Sequence, residues 1–149
     1  MNKVQIDIQS FETLVRILGN QIKAQNLHIN KIVCLSKGGL IPARYLAKFL
    51  EVDKIYVIGS SFYVKPGETQ PKPYIYQHLT EDFDNDNILL VDDICDSGES
   101  IKVALKEIDE HGGFHVFTAT IHYKNHSSFK PDLYAEEVPN DTWIDYFWE

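Results

Sequence analysis

The sequence predicts an α/β domain built on a mostly parallel sheet. Three observations predict it. Short apolar runs rich in β-branched residues read as strands buried on both faces. Between them fall segments with apolar residues at i, i+3, i+4 and i+7, which read as amphipathic helices. Strand and helix alternate along the chain, the order that gives parallel strands joined by helical crossovers. With 149 residues the chain suits one domain, spanning 1–149. A compact domain of that length buries roughly 70% of its unfolded surface, so it requires no metal or disulfide staple.

Phe11, Leu14, Val15, Leu18 and Ile22 share one helical face, with Ser10 as the expected N-cap and Glu12 in the first turn. Lys31 to Leu35, KIVCL, reads as a buried strand that runs into the turn SKGG. Ile41 to Leu50 is a helix with Pro42 near its start, where proline is tolerated. Lys54 to Phe62 is a second strand. The polar loop YVKPGETQPKP, Tyr63 to Pro73, is long enough to act as a lid. Tyr74 to Leu79 is a strand returning from it. Ile88 to Val91 is a strand of almost pure apolar character. Ser100 to His111 carries Ile101, Ala104, Leu105 and Ile108 on one face and ends at Gly112 and Gly113, so it is a helix. His115 to Tyr123 is a further strand. The tail from Pro131 holds one more short strand and both tryptophans.

Composition narrows the function. Fourteen Lys and Arg against 22 Asp and Glu leave a net charge of −8, a sign that does not favour duplex nucleic acid. A small anionic ligand needs only a local site and stays compatible. The first residues, MNKVQIDIQSFETLV, lack the apolar core of a signal peptide, and no apolar run approaches a bilayer span. A cytoplasmic location is expected, and with it two free thiols, Cys34 and Cys95. The acids Asp93 and Asp96 beside Cys95 would raise its pKa, which argues against a nucleophilic thiol.

Two strand-to-helix junctions carry the chemistry. In open α/β sheets ligands bind at the carboxyl ends of the strands. DSGES, Asp96 to Ser100, is a loop of small residues feeding a helix N-terminus, where backbone N–H groups and the helix dipole attract an anion. Ser97 and Ser100 add hydroxyls, and Gly98 permits close backbone approach. Read alone, Asp96 or Ser97 is equally a helix N-cap. The adjacent Asp92 and Asp93 repel each other unless a cation or hydroxyls satisfy them, and Mg²⁺ with retained waters is the natural partner. A solvated acidic turn is the alternative reading. Ser36, Lys37, Gly38 and Gly39 form a second anion cradle with one positive charge. Two cradles and an acidic pair point to a ligand with two separate phosphate groups and Mg²⁺.

ILLVDDICDSGES resembles the thirteen-residue phosphoribosyl-pyrophosphate signature of the type I phosphoribosyltransferases: four apolar residues, two acids, then a phosphate loop. Within that superfamily the chain is similar over nearly its whole length to the small bacterial xanthine-guanine phosphoribosyltransferases. The likeness includes SKGGLIPARYLAKFL, SSF at Ser60 to Phe62, and PNDTWIDYFW at Pro139 to Trp148. The resemblance implies the type I phosphoribosyltransferase fold: a mostly parallel central sheet flanked by helices, a flexible active-site loop and a small C-terminal base-binding hood.

Roles follow from the resemblance position by position. Ser97, Gly98, Glu99 and Ser100 would wrap the donor's 5′-phosphate. Asp92 and Asp93 would face the ribose hydroxyls and Mg²⁺, directly or through water. Asp96 would be the acid near purine N7 and the candidate general base. Ser36, Lys37, Gly38 and Gly39 would hold pyrophosphate on a turn that often carries a cis non-proline peptide in the family. Lys124 would meet the 6-oxo group, Trp143 would stack on or flank the base, and the backbone of Trp143 and Ile144 would read its exocyclic edge. Two departures stand inside the motifs. Lys37 replaces the arginine common in the xanthine-guanine group, keeping charge but losing the fork. Glu99 stands where close relatives have glycine, so its side chain must point outward. The relatives also run a few residues past the position of Trp148.

The expected activity is Mg²⁺-dependent transfer of ribose 5-phosphate from phosphoribosyl pyrophosphate to a 6-oxopurine, in a homodimer or homotetramer. A non-catalytic regulator that senses phosphoribosyl pyrophosphate on the same fold is the alternative.

Overall fold

The computed structural model describes residues 2–149. Six strands form the central sheet: β2 (Lys31–Ser36), β3 (Lys54–Tyr63), β4 (Lys72–Gln77), β5 (Asn87–Cys95), β6 (His115–Tyr123) and β7 (Leu133–Glu137). Their spatial order is β4-β3-β2-β5-β6-β7. All neighbours pair parallel except β3 and β4, which form an antiparallel hairpin. Three helices accompany the sheet: α1 (Ile8–Ala24), α2 (Leu40–Leu50) and α3 (Glu99–Glu110). None of the described helices is long and apolar enough to cross a membrane.

The buried strands explain their own composition. Successive side chains point to opposite faces. In β2, Ile32 and Cys34 join the core shared with α1 and α2, while Val33 and Leu35 join the core shared with α3. In β5, Leu89 and Val91 take the first face and Ile88 and Leu90 the second. Both faces are covered, so nearly every residue must be apolar, and alternation disappears. The α3 side is completed by Ile101, Ala104 and Ile108, with Phe83 entirely buried beside them.

Several boundaries differ from the sequence expectation. Helix α1 starts at Ile8, and its N-cap is Asp7, whose carboxylate accepts from the Ser10 N–H at 2.8 Å. Ser10 is therefore inside the helix, because the Asp7 carboxylate already serves the first-turn donors. The returning strand begins earlier, at Lys72, since its cross-strand partner is Tyr63 at the end of β3. The tail holds two strands where one was expected. The second, β8 (Thr142–Tyr146), pairs in parallel with β1 (Asn2–Ile6), a strand absent from the sequence reading. Together they make a two-stranded sheet apart from the central one.

This small sheet is fastened by aromatic side chains. Phe11 packs edge-on against Tyr45 and Trp148, with centroids 5.0 and 5.1 Å apart, and Tyr146 stacks on Trp148 at 4.5 Å. It is also fastened by one buried polar chain. His122 Nδ1 lies 2.7 Å from the Tyr146 hydroxyl, which donates to the Asp93 carbonyl at 3.2 Å. The hydroxyl has one hydrogen, so the ring must donate to it through Nδ1–H. Burial pushes the His122 pKa down to about 4. The Glu136 carboxylate, 3.5 Å from Nε2, therefore faces a neutral ring at pH 7.

The sign of the pH effect follows. A ring whose folded pKa is depressed contributes stability that is present above its unfolded pKa near 6.5 and lost as pH falls toward 4. Acidifying from pH 7 to 4.5 removes about 2 to 3 kcal/mol through this residue. In His122→Gln that share of the acid loss disappears, which denaturant melts at the two pH values will show as a flatter pH dependence.

Candidate active site

The carboxyl ends of β2 and β5 lie side by side, and each feeds a helix. After β2 the turn Ser36–Gly39 leads into α2, and after β5 the loop Asp96–Gly98 leads into α3. The two junctions meet. A Cβ on Gly38 would collide with the Asp93 carboxylate, and one on Gly39 would lie 2.6 Å from the Val91 carbonyl. No larger residue leaves room for the turn to lie this close to β5. The Ser36–Lys37 peptide is cis. Ser36 Oγ shares a 2.8 Å hydrogen bond with the Tyr76 hydroxyl, which ties the turn to the hairpin.

Helix ends distinguish this edge of the molecule. Helix α1 is capped by Asp7, as an ordinary helix start is. The N-cap residues of α2 and α3 are Gly39 and Gly98, and neither helix has a side-chain cap. The Leu40 N–H that begins α2 donates to the Lys37 carbonyl at 3.1 Å, and the Glu99 N–H that begins α3 donates to Ser97 Oγ at 3.3 Å; the N–H groups that follow, Ile41 in α2 and Ser100 and Ile101 in α3, are left to water or to a ligand, with the positive end of the dipole behind them. Gly98 adopts φ +86°, and a Cβ there would press on Ser127 Oγ and, at 2.8 Å, on the Phe129 nitrogen.

Between the two helix starts stand Asp92 and Asp93. Neither forms an ion pair among the described residues. Asp92 accepts from the Asp93 N–H at 2.9 Å, and Asp93 accepts from the Ile94 N–H at 2.7 Å. Burial first, and then the neighbouring Asp93 charge, push the Asp92 pKa well above the ordinary carboxylate value. Burial pushes Asp93 up as well, offset in part by its hydrogen bonds to Asp92 and Ile94. Two adjacent, half-buried acids with no cation beside them among the described residues repel each other unless something positive arrives.

Two adjoining cavities open here. One, of about 200 Å³, is lined by Asp92, Asp93, Asp96, Ser97, Gly98 and Ser100, among others. The other, of about 580 Å³, is lined by Ser36, Lys37, Gly38, Asp93, Trp148 and Glu149, among others. Phe62 and Ser100 border both. Glu99 borders neither. Its carboxylate is drawn aside by the Ser128 hydroxyl at 2.9 Å and Lys102 at 3.4 Å, and the Ser128 contact, foremost, lowers its pKa.

Asp96 sits at the rim with its side chain half exposed. Lys124 Nζ reaches Oδ2 at 3.1 Å and His126 Nε2 reaches Oδ1 at 2.7 Å. Lys124 is 7% exposed, and its backbone N–H donates to the Cys95 carbonyl at 3.1 Å, so the chain after β6 is bound to the end of β5. Trp143, 55% exposed, lies on the small sheet and lines neither cavity; Ile144 beside it is buried in the core.

The model of the phosphoribosyl transferase domain matches residues 5–149. The chain belongs to the phosphoribosyltransferase family. A xanthine-guanine phosphoribosyltransferase from Gluconobacter oxydans is 27% identical over 134 residues, which cover 90% of this chain and 77% of that protein. The crystal structure of a purine phosphoribosyltransferase from Pyrococcus horikoshii superposes with a TM-score of 0.88 at 26% identity, covering 100% of this chain and 95% of that one. A Neisseria gonorrhoeae protein crystallised with bound ppGpp gives a TM-score of 0.86 at 26% identity, covering 99% and 89%.

This phosphoribosyltransferase has site residues that the sequence did not disclose. Tyr76, Ser127, Ser128, His126 and Trp148 all reach the site, from three different parts of the chain. Ser128 braces the loop after β5 by donating its backbone N–H to the Ser97 carbonyl at 2.9 Å, and its hydroxyl, with one hydrogen to give, lies between that carbonyl at 2.8 Å and the Glu99 carboxylate at 2.9 Å. Trp148 ends the segment PNDTWIDYFW but had no role assigned in it; the others lie in no motif, and a lone serine or histidine after a strand carries no signal of its own.

Proposed function

We propose that this phosphoribosyltransferase joins a 6-oxopurine (guanine, xanthine or hypoxanthine) to the ribose 5-phosphate of phosphoribosyl pyrophosphate, with Mg²⁺, in the cytoplasm, as a homodimer or homotetramer. The observation that carries the reading is the pair of uncapped, glycine-started helices on either side of Asp92 and Asp93. The α3 start, Ser97 to Ser100, suits the 5′-phosphate. The α2 start, Ser36 to Gly39 with the Lys37 charge, suits the pyrophosphate. The acidic pair between them suits the ribose hydroxyls.

Mg²⁺ fits this donor set. Asp92 and Asp93 offer only oxygen, are half-buried and lack a cation partner among the described residues. Few protein carboxylates plus substrate oxygens is the arrangement Mg²⁺ prefers. When bound, it supplies positive charge to the leaving pyrophosphate.

The bond from purine N9 to ribose C1′ forms as the bond from C1′ to the pyrophosphate oxygen breaks, and the electron pair leaves with pyrophosphate. Positive charge develops on the ribosyl ring, as in glycoside hydrolysis. Asp96 takes the proton from N7. Lys124 donates to the 6-oxo oxygen, which disfavours a 6-amino base because the amine presents donors to a cation. Trp143 flanks the base, and the Trp143 and Ile144 backbone reads its exocyclic edge. The β3–β4 hairpin loop, residues 64–71, closes to keep water from the donor.

The test is an absorbance assay with Mg²⁺, donor and, separately, guanine, xanthine, hypoxanthine and adenine. Nucleotide formation with one or more 6-oxopurines, abolished by chelator, is expected. No turnover with any base overturns the enzyme reading and favours the regulator.

The ligand of the Neisseria protein favours ppGpp as a second occupant. That nucleotide carries a diphosphate at each of two positions, matching two separated anion cradles. It is expected to compete with phosphoribosyl pyrophosphate in the same assay.

A further inference from the structure

We infer that His126 is a positioning residue that sets the orientation of the Asp96 carboxylate toward the purine. The inference rests on the proposed role of Asp96. The side chain of Asp96 is 53% exposed, so water leaves it free to turn about its last torsion. A general base must present one oxygen to one proton, and a misplacement of about 1 Å can cost on the order of 10²-fold in rate.

Two donors meet the two oxygens separately. His126 holds Oδ1 at 2.7 Å, and Lys124 holds Oδ2 at 3.1 Å. An ionised carboxylate only accepts, so Nε2 carries the hydrogen. Lys124 cannot fix the carboxylate alone once a base is present. Its ammonium has several hydrogens to place, and a 6-oxo oxygen next to N7 competes for one of them. His126 has no such second task. It keeps Oδ1 engaged, so Oδ2 is the oxygen that faces N7.

The ring is placed by the loop that leads into the small sheet. The His126 N–H donates to Asn140 Oδ1 at 3.3 Å, and Asn140 Nδ2 donates to Asn125 Oδ1 at 3.1 Å. Asn140 precedes β8 by two residues, and the Thr142 N–H donates to the Pro139 carbonyl at 3.0 Å. His126 therefore connects the acid at the end of β5 to the strand that carries Trp143 and Ile144. Among the described residues the charged group that meets the ring is Asp96, which Lys124 pairs in turn.

The experiment compares His126→Ala, His126→Gln and Asp96→Asn in steady state with saturating 6-oxopurine. Glutamine places an amide N–H close to the position of Nε2 and keeps the donor without the ring. His126→Ala is expected to lower kcat by about 10- to 100-fold. The donor KM should move by less than about twofold, and His126→Gln should recover most of the rate. Melting temperatures identify any loss that comes from folding, and the exposed position of His126 makes one small. Unchanged kcat in His126→Ala, or glutamine no better than alanine, overturns the inference. If Asp96→Asn is also fully active, the reading of Asp96 as the base has failed instead.

Discussion

Asp96→Asn is expected to lower turnover by about 10²- to 10⁴-fold, the range a positioned general base supplies. Donor KM should change far less, because Asp96 lies at the rim of the cavity at the α3 start, where the proposed 5′-phosphate site is Ser97 to Ser100. The amide keeps the size of the side chain and one acceptor oxygen. It cannot take a proton, and its NH₂ must face either Lys124, which only donates, or His126, whose ring must then present its unprotonated nitrogen. Lys124, which is buried, then loses its counter-charge. Steady-state kinetics at saturating base will separate the effects: kcat falls and donor KM holds. Unchanged kcat would mean that the N7 proton leaves by another route.

Gly98→Ala is expected to weaken donor binding by roughly 5- to 100-fold, which corresponds to about 1 to 3 kcal/mol of strain and displacement. Two independent facts act on this position. Its φ of +86° is a region that residues with a Cβ rarely adopt. The added methyl would also meet Ser127 Oγ and the Phe129 nitrogen, and the second is backbone that cannot rotate away. The loop between β5 and α3 must then shift against the Ser127–Ser128 brace. Donor KM, or calorimetric titration of the donor, measures the loss. Glu99→Gln is the control: its carboxylate is turned toward Ser128 and Lys102 and lines no part of the cavities, so donor affinity should change by less than about threefold.

Much of the fold was legible because it rests on local signals. The strands Lys31–Ser36 and His115–Tyr123 and all three helices lie close to where their apolar patterns put them. The single α1 error has a local cause: Asp7 and Ser10 are both good caps, three residues apart, and only the carboxylate is placed to accept. The missed strand Asn2–Ile6 has four of its five residues exposed, so no buried face marked it as a strand. Its pairing partner lies at the other end of the chain, with Asn2 opposite Thr142.

The site divides in the same way. Asp92, Asp93 and Ser97 to Ser100 are contiguous, and the acids with their phosphate loop could be read as a unit. The turn Ser36–Gly39 could be read too, though its contact with Asp93 could not. Lys124, His126 and Asp96 meet only because β5 and β6 are neighbours, with Cys95 opposite Tyr123. Trp143 lies on the small sheet outside both cavities, while Trp148 lines one of them.

By itself the sequence determined the three helices, the strands of the central sheet before the tail, and where small residues and acids must gather at the ends of strands. Those are consequences of apolar periodicity and backbone freedom, which act over a few residues. Tertiary structure alone decided that two helices would be left uncapped toward a common space, that Gly38 would lie against Asp93, and that a lysine and a histidine from the loop after β6 would take one oxygen each of Asp96. Such contacts join residues about 30 to 55 apart, and pairing at that distance leaves no repeating imprint on the chain.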